Sequence, residues 1–295
     1  LTDKLYIVAK GQILSYLRFL RKLPGFLGSP IDPHNAKNRI AHRLVARNEN
    51  FLGLVKRCVY ENPASPYFRL LKEAGCEYGD VASGVQKEGL EATLRRLLTA
   101  GVWISLDEFK GRTPIQRGRL ELRPDPDDFE NPYQPSGVQT KTGGSTGRSG
   151  RTKMDLEFLA ERTCYDSLMF DMLGVRNKPL ALWYPILPAS TGIGNSLRYA
   201  KAGFPPTRWF GMLQNPVNPV SLKSRLATHA IIRISRLARF PLPQPEPLAL
   251  NRHDQIADWV INCLDQEGMC VFQTYVSQAV RICQALRPRR PPLSA

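Results

Sequence analysis

The sequence lacks several features that would point directly to a common class of protein. No run approaches the ~18 apolar residues of a membrane-spanning helix, so we expect no membrane span. The six cysteines contain no Cys-x-x-Cys pair and the four histidines have no zinc-ligand spacing, so we expect no metal site of the chain's own. Reduced thiols of this kind predict a cytoplasmic protein. No Gly-Lys pair occurs, which excludes the Walker loop of the P-loop NTPases.

What the chain does have is a core-forming composition and an uneven charge. Of its 295 residues 42% are hydrophobic, which is typical of a globular protein rather than a disordered one. The formal net charge is +15, and between residues 173 and 252 eleven basic residues face one acid, Glu246. Such a field attracts polyanions, whether nucleic acid, a membrane surface or a phosphorylated substrate.

The most informative stretch is a glycine- and hydroxyl-rich segment. Its ten residues are Thr142, Gly143, Gly144, Ser145, Thr146, Gly147, Arg148, Ser149, Gly150 and Arg151. Glycine lets the backbone approach a phosphate closely, and successive amide N–H groups then form an anion-binding nest. A strand predicted at 138–141 precedes the segment and a helix predicted at 155–173 follows it. This context favours a phosphate loop over a solvated Gly/Ser linker.

Two other motifs compete with that interpretation. Residues 143–147 fit the Gly-x-Ser-x-Gly elbow of the α/β-hydrolases, with Asp166 or Asp171 and His229 or His253 as partners. An elbow serine leads directly into a helix, whereas four residues intervene here. Residues 191–197 partly fit a dinucleotide fingerprint, but its third glycine is replaced by leucine and no acid follows about twenty residues later.

The glycine-rich segment resembles the phosphate loop of the adenylate-forming superfamily, which includes phenylacetate–CoA ligases and acyl-protein synthetases. Residues 142–148 match the family's Thr/Ser-Ser/Gly-Gly-Ser/Thr-Thr-Gly core and its following basic residue, whereas the usual Pro-Lys is replaced by Ser149-Gly150. The resemblance extends over roughly 136–286, where the predicted strands 180–184 and 269–274 are followed by helices. It implies that Thr142, Gly143, Gly144, Ser145, Thr146, Gly147, Arg148 and Arg151 hold the phosphates of ATP.

Periodicity predicts the fold class as α/β. Residues 1–135 read as a helical N-terminal region with a β-hairpin, whose strands we place at 102–106 and 115–122. Residues 136–286 alternate strand and helix, which predicts an incomplete α/β layer with a partly parallel sheet and, by resemblance, a partial nucleotide-binding domain. Residues 287–295 form a basic, proline-rich tail. A basic helix at 221–240 is predicted to pack through its leucines and to expose its arginines.

The resemblance implies a function: ATP-dependent activation of a small carboxylic acid as an acyl-adenylate, with ATP and Mg²⁺ and an acceptor such as CoA. The family's Tyr-Gly-x-Thr-Glu segment and mobile C-terminal domain are missing. We therefore expect the N-terminal fragment of a ligase, inactive alone, and assign no catalytic residue. Apolar surface around Phe272, Tyr275 and Val276 predicts self-association.

The alternative is a non-catalytic protein whose basic half binds nucleic acid or an acidic partner. No nucleic-acid fold signature accompanies the basic residues and aromatic residues are not interleaved with them, so we do not expect nucleic acid as a partner.

Overall fold

A computed structural model of the chain describes residues 2–129, 131, 133, 137–141, 151–213 and 220–289. The chain folds into two compact units. One unit combines the segment up to Asn38 with the strand at 138–141 and the chain from Thr152 onward. The other begins at Arg39 and contains the helices and the hairpin that precede that strand.

The second unit is mainly helical. Its helices are the end of α2 (Pro33–Val45), α3 (Arg47–Val55) with a π-helical turn (Lys56–Tyr60), α4 (Pro66–Glu73), α5 (Tyr78–Lys87), α6 (Leu90–Thr99) and α7 (Leu106–Phe109). A hairpin of β1 (Ile115–Arg117) and β2 (Leu120–Leu122) and a 3₁₀ turn (Pro126–Phe129) follow them. Leu71, Val81 and Leu97 form its small core.

The hairpin that the sequence predicts is present, but its strands are not the predicted ones. Both strands lie within 115–122, and residues 102–105 form no strand. The reason is a capping box. The Ser105 hydroxyl accepts from the Glu108 amide at 3.2 Å, and the Glu108 carboxylate accepts from the Ser105 amide at 2.7 Å. This local pairing starts a short helix where the apolar alternation predicted a strand.

The first unit is a three-layer α/β structure. Its elements are α1 (Thr2–Leu27), β3 (Val138–Lys141), β4 (Arg151–Met154), α8 (Leu156–Met172), β5 (Leu180–Tyr184), α9 (Thr191–Lys201), β6 (Arg208–Leu213), α10 (Leu222–Leu237), β7 (Pro245–Ala249), α11 (His253–Glu267), β8 (Val271–Gln273) and α12 (Val276–Leu286). The strands predicted at 138–141 and 180–184 and the helix predicted at 253–267 are confirmed.

Four parallel strands form the central sheet in the order β7–β6–β5–β8. Alternate residues of β5 face opposite sides. Leu180, Leu182 and Tyr184 pack with α1, α8, α9 and α10, whereas Ala181 and Trp183 pack with α11 and α12. The mixed α/β class is therefore confirmed, with helices on both faces of a parallel sheet.

Helix α1 packs with the sheet, whereas the predicted boundary at residue 135 placed it in the N-terminal region. Phe19 and Leu23 lie in the same core as Leu182 and Ile231, so α1 belongs with the sheet. The buried ammonium of Lys201 on α9 holds the end of this helix, donating to the carbonyls of Phe26 at 2.6 Å and Ser29 at 2.7 Å. A cation is favourable there because carbonyls at a helix C-terminus carry partial negative charge.

Close packing explains one of the two glycines in 191–197. A Cβ built on Gly192 would lie 2.4 Å from Trp209 Cζ2 and 2.7 Å from the carbonyl oxygen of Pro185. Trp209 cannot move aside freely, because its indole N–H donates to the Tyr184 carbonyl at 2.9 Å. The glycine is therefore required for α9 to approach the sheet.

We expect Gly192→Ala to lower the free energy of unfolding by about 1–3 kcal/mol, the usual cost of overpacking a core. Gly11→Ala is the matched control, because a Cβ on that helical glycine of the same unit meets nothing within 4 Å. The control should be neutral or stabilising, since alanine is the better helix former. Urea denaturation followed by circular dichroism measures both, and equal effects would contradict the packing role.

A second prediction concerns the buried ion pair of the helical unit. Glu108 and Arg117 lie 2.8 Å apart with side chains 8% and 17% exposed, and the hydrogen bond from Arg117 lowers the pKa of Glu108 to about 2. Because the folded-state pKa is the lower one, the pair stabilises the fold above about pH 4.5. That contribution is lost as the pH falls toward 2.

We expect Glu108→Gln to destabilise this unit by about 1–3 kcal/mol at neutral pH, the cost of a buried donor that loses its partner. The difference from the unmodified chain should vanish in acid. Glu121→Gln removes an exposed pair with Arg123 and should cost about 0–1 kcal/mol. Melting curves between pH 2 and 7 test this, and a pH-independent difference would be inconsistent with it.

Candidate functional site

The order of the strands places a topological switch point at the carboxyl ends of β5 and β8. From β5 the chain moves outward to β6 and β7, then returns through α11 to place β8 on the other side of β5. The connections on either side of the β5–β8 pair therefore run in opposite directions. Open α/β sheets bind ligands at this switch point, outside the carboxyl ends of the strands.

Side chains from both strands line this edge. The Thr274 hydroxyl donates to the Trp183 carbonyl at 3.0 Å, and the rings of Tyr184 and Tyr275 meet edge to face at 5.0 Å. The Tyr275 hydroxyl lies 3.5 Å from the Thr191 hydroxyl at the start of α9. Hydroxyl and aromatic groups thus converge where the two strands end.

A polar network lies behind that edge, centred on Gln273. Its side-chain oxygen accepts from the Asn195 amide at 3.0 Å and from the Tyr199 hydroxyl. Arg198 donates to the Asn195 oxygen at 2.8 Å and lies 3.2 Å from Asp166 on α8. The network therefore links β8 to α9 and α8 through groups of complementary charge and polarity.

Burial sets the protonation of the network. Desolvation raises the pKa of Tyr199 to about 12, and it raises the pKa of Asp166 against the opposing charge of Arg198. The pKa of Tyr184 is also raised by burial. A tyrosine with so high a pKa stays protonated at neutral pH, so neither phenol is a general base. The Tyr199 hydroxyl is therefore a hydrogen-bond donor to Gln273.

The predicted phosphate-loop residues themselves lie outside the described part of the chain. These are Thr142, Gly143, Gly144, Ser145, Thr146, Gly147 and Arg148; Arg151 opens β4, and its side chain is likewise not described. The flanking residues are described. β4 was not predicted, and it pairs with β3, so the glycine-rich segment connects two paired strands.

Those flanking strands are attached to the carboxyl end of β5. The Lys141 amide donates to the carbonyl of Pro188, in the loop between β5 and α9, at 2.8 Å. The Thr140 hydroxyl lies 2.8 Å from the Thr152 hydroxyl, which joins β3 to β4. Met154, at the end of β4, packs in the core with Ile193 of α9. Lys141, the last described residue before the glycine-rich segment, thus lies at the carboxyl edge of β5.

The competing motifs do not assemble their sites. Asp166 pairs with Arg198, and His253 hydrogen-bonds to Gln278 at 2.9 Å. Asp171 and His229 are exposed, so among the described residues neither aspartate is paired with either histidine. In residues 191–197, which partly fit a dinucleotide fingerprint, the close approach of Trp209 explains why Gly192 is a glycine.

The eleven basic residues between positions 173 and 252 divide into two groups. Six of its eleven basic residues contact a carboxylate or other groups of the fold: Arg176, Lys178, Arg198, Lys201, Arg208 and Arg252. The other five, at 223, 225, 233, 236 and 239, are exposed on α10 or just after it. The charge excess is therefore not one continuous surface.

The predicted packing of α10 is partly wrong. Its arginines are exposed as predicted, but Leu222, Leu226 and Leu237 are exposed as well. The buried face carries Thr228, Ile231, Ile232 and Ser235. Small hydroxyl residues can be buried there because each donates to the carbonyl four residues earlier.

Sequence reasoning missed Gln273, Asn195 and Tyr199. The one available signal was the polar residue at 273, directly after an apolar run. Asn195 and Tyr199 on α9 give no such signal, because they come close to Gln273 only when β8 pairs with β5. The helix predicted after the strand at 269–274 is present as α12, which begins at Val276 with Tyr275 as its N-cap.

Comparison with known proteins returns no relative. No family model matches the chain, and neither curated proteins nor solved structures yield a significant match. No helix within the described ranges is long and apolar enough to cross a membrane. Function therefore has to be argued from the residues of the site.

We expect Gln273→Leu to lower the free energy of unfolding by about 1–3 kcal/mol, because it leaves the buried Tyr199 hydroxyl and the Asn195 amide without their acceptor. Combined with Tyr199→Phe, the cost should be less than the sum of the two single changes, since both remove the same hydrogen bond. Gln255→Leu, at an exposed position on α11, is the control. Strict additivity would show that the two side chains are not coupled.

Proposed function

We propose that this chain carries the ATP-phosphate-binding part of a carboxylate-activating, acyl-adenylate-forming ligase. The observation that supports the proposal most directly is the hydrogen bond from the Lys141 amide to the Pro188 carbonyl. That hydrogen bond holds Lys141, the residue that precedes the Thr142–Arg148 segment, at the carboxyl edge of β5, beside the switch point. Parallel α/β sheets bind phosphorylated ligands at this edge.

In the proposed reaction, a carboxylate oxygen attacks the α-phosphorus of ATP and pyrophosphate leaves, so that an acyl-adenylate forms. Positioning and charge neutralisation carry most of the rate enhancement of such a transfer. The backbone amides of Gly143, Gly144 and Gly147 and the hydroxyls of Thr142, Ser145 and Thr146 would hold the β- and γ-phosphates. Arg148 and Arg151 would add charge-assisted donors.

The carboxyl edge of β5 and β8 also carries polar and aromatic groups. Tyr184, Tyr275 and Thr191 present rings and hydroxyls at the edge where the substrate would lie. Tyr184 at that edge keeps its proton at neutral pH, because burial raises its pKa. The acyl substrate would be a small carboxylic acid, and CoA would be one acceptor of the acyl group.

Mg²⁺, which the resemblance implies beside ATP, does not find a site among the described residues. No group of three His, Cys, Asp or Glu side chains gathers within the described ranges. Asp166, the carboxylate of the network, lies against Arg198. In nucleotide sites Mg²⁺ is held mainly by the phosphates and water with one or two carboxylates, so it would enter with ATP.

The exposed basic residues of α10 are the observation that favours the alternative of polyanion binding. Five exposed basic positions in one stretch are a weaker footprint than the eleven that the sequence suggested. Nucleic-acid binding accordingly ranks second, behind the ligase function, as a candidate function of the chain.

We expect Thr146→Val to weaken the binding of Mg·ATP by about 10–100-fold, because a hydrogen bond to a charged group contributes about 1.5–3 kcal/mol. Thr113→Val, at an exposed threonine outside the glycine-rich segment, should leave affinity unchanged. Isothermal titration calorimetry measures both variants. A parallel ATP–pyrophosphate exchange assay with aryl and fatty acids tests the chemistry. Absence of both ATP binding and exchange would refute the proposal.

A further inference from the structure

Two neighbouring helices of the sheet unit carry a strongly one-signed charge. α1 packs against α10: the Tyr16 hydroxyl donates to the Ala227 carbonyl at 2.7 Å, and Phe19 shares a core with Ile231. Residues 11–27 of α1 and all of α10 contain seven Lys or Arg residues and no Asp or Glu. All seven are exposed: Arg18, Arg21, Lys22, Lys223, Arg225, Arg233 and Arg236.

The same two helices expose large apolar side chains between those charges. They are Ile13, Leu14, Leu17, Leu222, Leu226 and Leu237, each at least 46% exposed. At 100° per residue, Leu222, Leu226, Arg233 and Leu237 fall on one narrow stripe of α10, and Arg225 and Arg236 flank it. On α1, Ile13, Leu14, Leu17 and Arg21 likewise share one face. We call these thirteen residues the basic–leucine surface.

Monomeric proteins seldom expose so many leucines together without a partner. Arginines and lysines around an apolar stripe, with no acid between them, are the pattern of helices that lie in the interface of an anionic bilayer. There the leucines enter the acyl boundary and the basic groups meet lipid phosphates. A nucleic acid would satisfy the charges but leave the leucines in water, and an apolar protein groove would leave the charges unpaired.

We propose that the basic–leucine surface of α1 and α10 binds the surface of a membrane that contains anionic lipid. The charge complementarity and the placement of the leucines carry this proposal, and it does not rest on the proposed ligase activity. The attachment is peripheral, with both helices remaining packed on the sheet through their buried faces. The partner is the lipid phosphate layer with its adjoining acyl chains.

Flotation with lipid vesicles tests the proposal on the full chain. We expect binding to vesicles of phosphatidylcholine with about one third phosphatidylserine and not to phosphatidylcholine alone, because each basic residue near an anionic surface contributes about fivefold in affinity. The double variant Arg225→Gln/Arg233→Gln should therefore weaken binding by about 25-fold. Arg95→Gln, exposed on α6 of the other unit, should not.

The leucines distinguish a membrane from other polyanions. Leu226→Gln should weaken vesicle binding by about tenfold, because the glutamine side chain would not be buried favourably among the acyl chains. Leu106→Gln is the matched control, since Leu106 is 63% exposed in the other unit and Leu226 is 60% exposed. Unchanged melting temperatures confirm that these surface variants fold.

Three outcomes would overturn the proposal. The first is no binding to phosphatidylserine vesicles. The second is vesicle binding that Leu226→Gln leaves unchanged, which would indicate simple charge adsorption. The third is salt-sensitive binding to an oligonucleotide duplex, weakened by Arg225→Gln/Arg233→Gln but not by Leu226→Gln, with no vesicle binding; nucleic acid would then be the partner.

Discussion

The burial of strand β5 on both faces is the constraint on which the sheet unit depends. All five of its residues are buried, and it pairs with β6 on one side and β8 on the other. A strand without a solvent face needs helices above and below it, which α9 and α11 provide with their neighbours. Its position at the centre also creates the switch point, because the chain must leave β5 in one direction and return on the opposite side.

The sequence predicted the elements of this unit well and their arrangement poorly. Strand β5 has a strong local signal, the continuous apolar run Leu180–Tyr184. Helix α11 has another, the glycine at 268, which forms a left-handed C-cap with φ of 71°. The pairing of β8 with β5 has no such signal, because it joins residues about ninety positions apart. Gln273, Asn195 and Tyr199 could not be brought together without that pairing.

Local sequence patterns also gave wrong predictions where a competing local or long-range contact determined the structure. At 102–106 the apolar alternation predicted a strand, but the Ser105–Glu108 capping box determined the outcome. In 191–197 the spacing of glycines suggested a nucleotide fingerprint, whereas Gly192 is required by the approach of Trp209. On α10 the leucines suggested a buried face, and the helix instead buries threonine and serine with its isoleucines. In each case the contact that determines the structure joins residues three or four positions apart or residues farther apart along the chain.

The charge of the chain has two different physical roles. Lys201 and Arg198 are held inside the fold, where one holds the end of α1 and the other positions Asn195 behind the switch point. Buried cations of this kind are satisfied by carbonyls or carboxylates and add little to the outer field. The arginines of α10 have solvent around them and leucines beside them, so their field reaches a partner. A net charge of +15 counts both groups alike, and only burial separates the charges that build the fold from those that can recruit something to it.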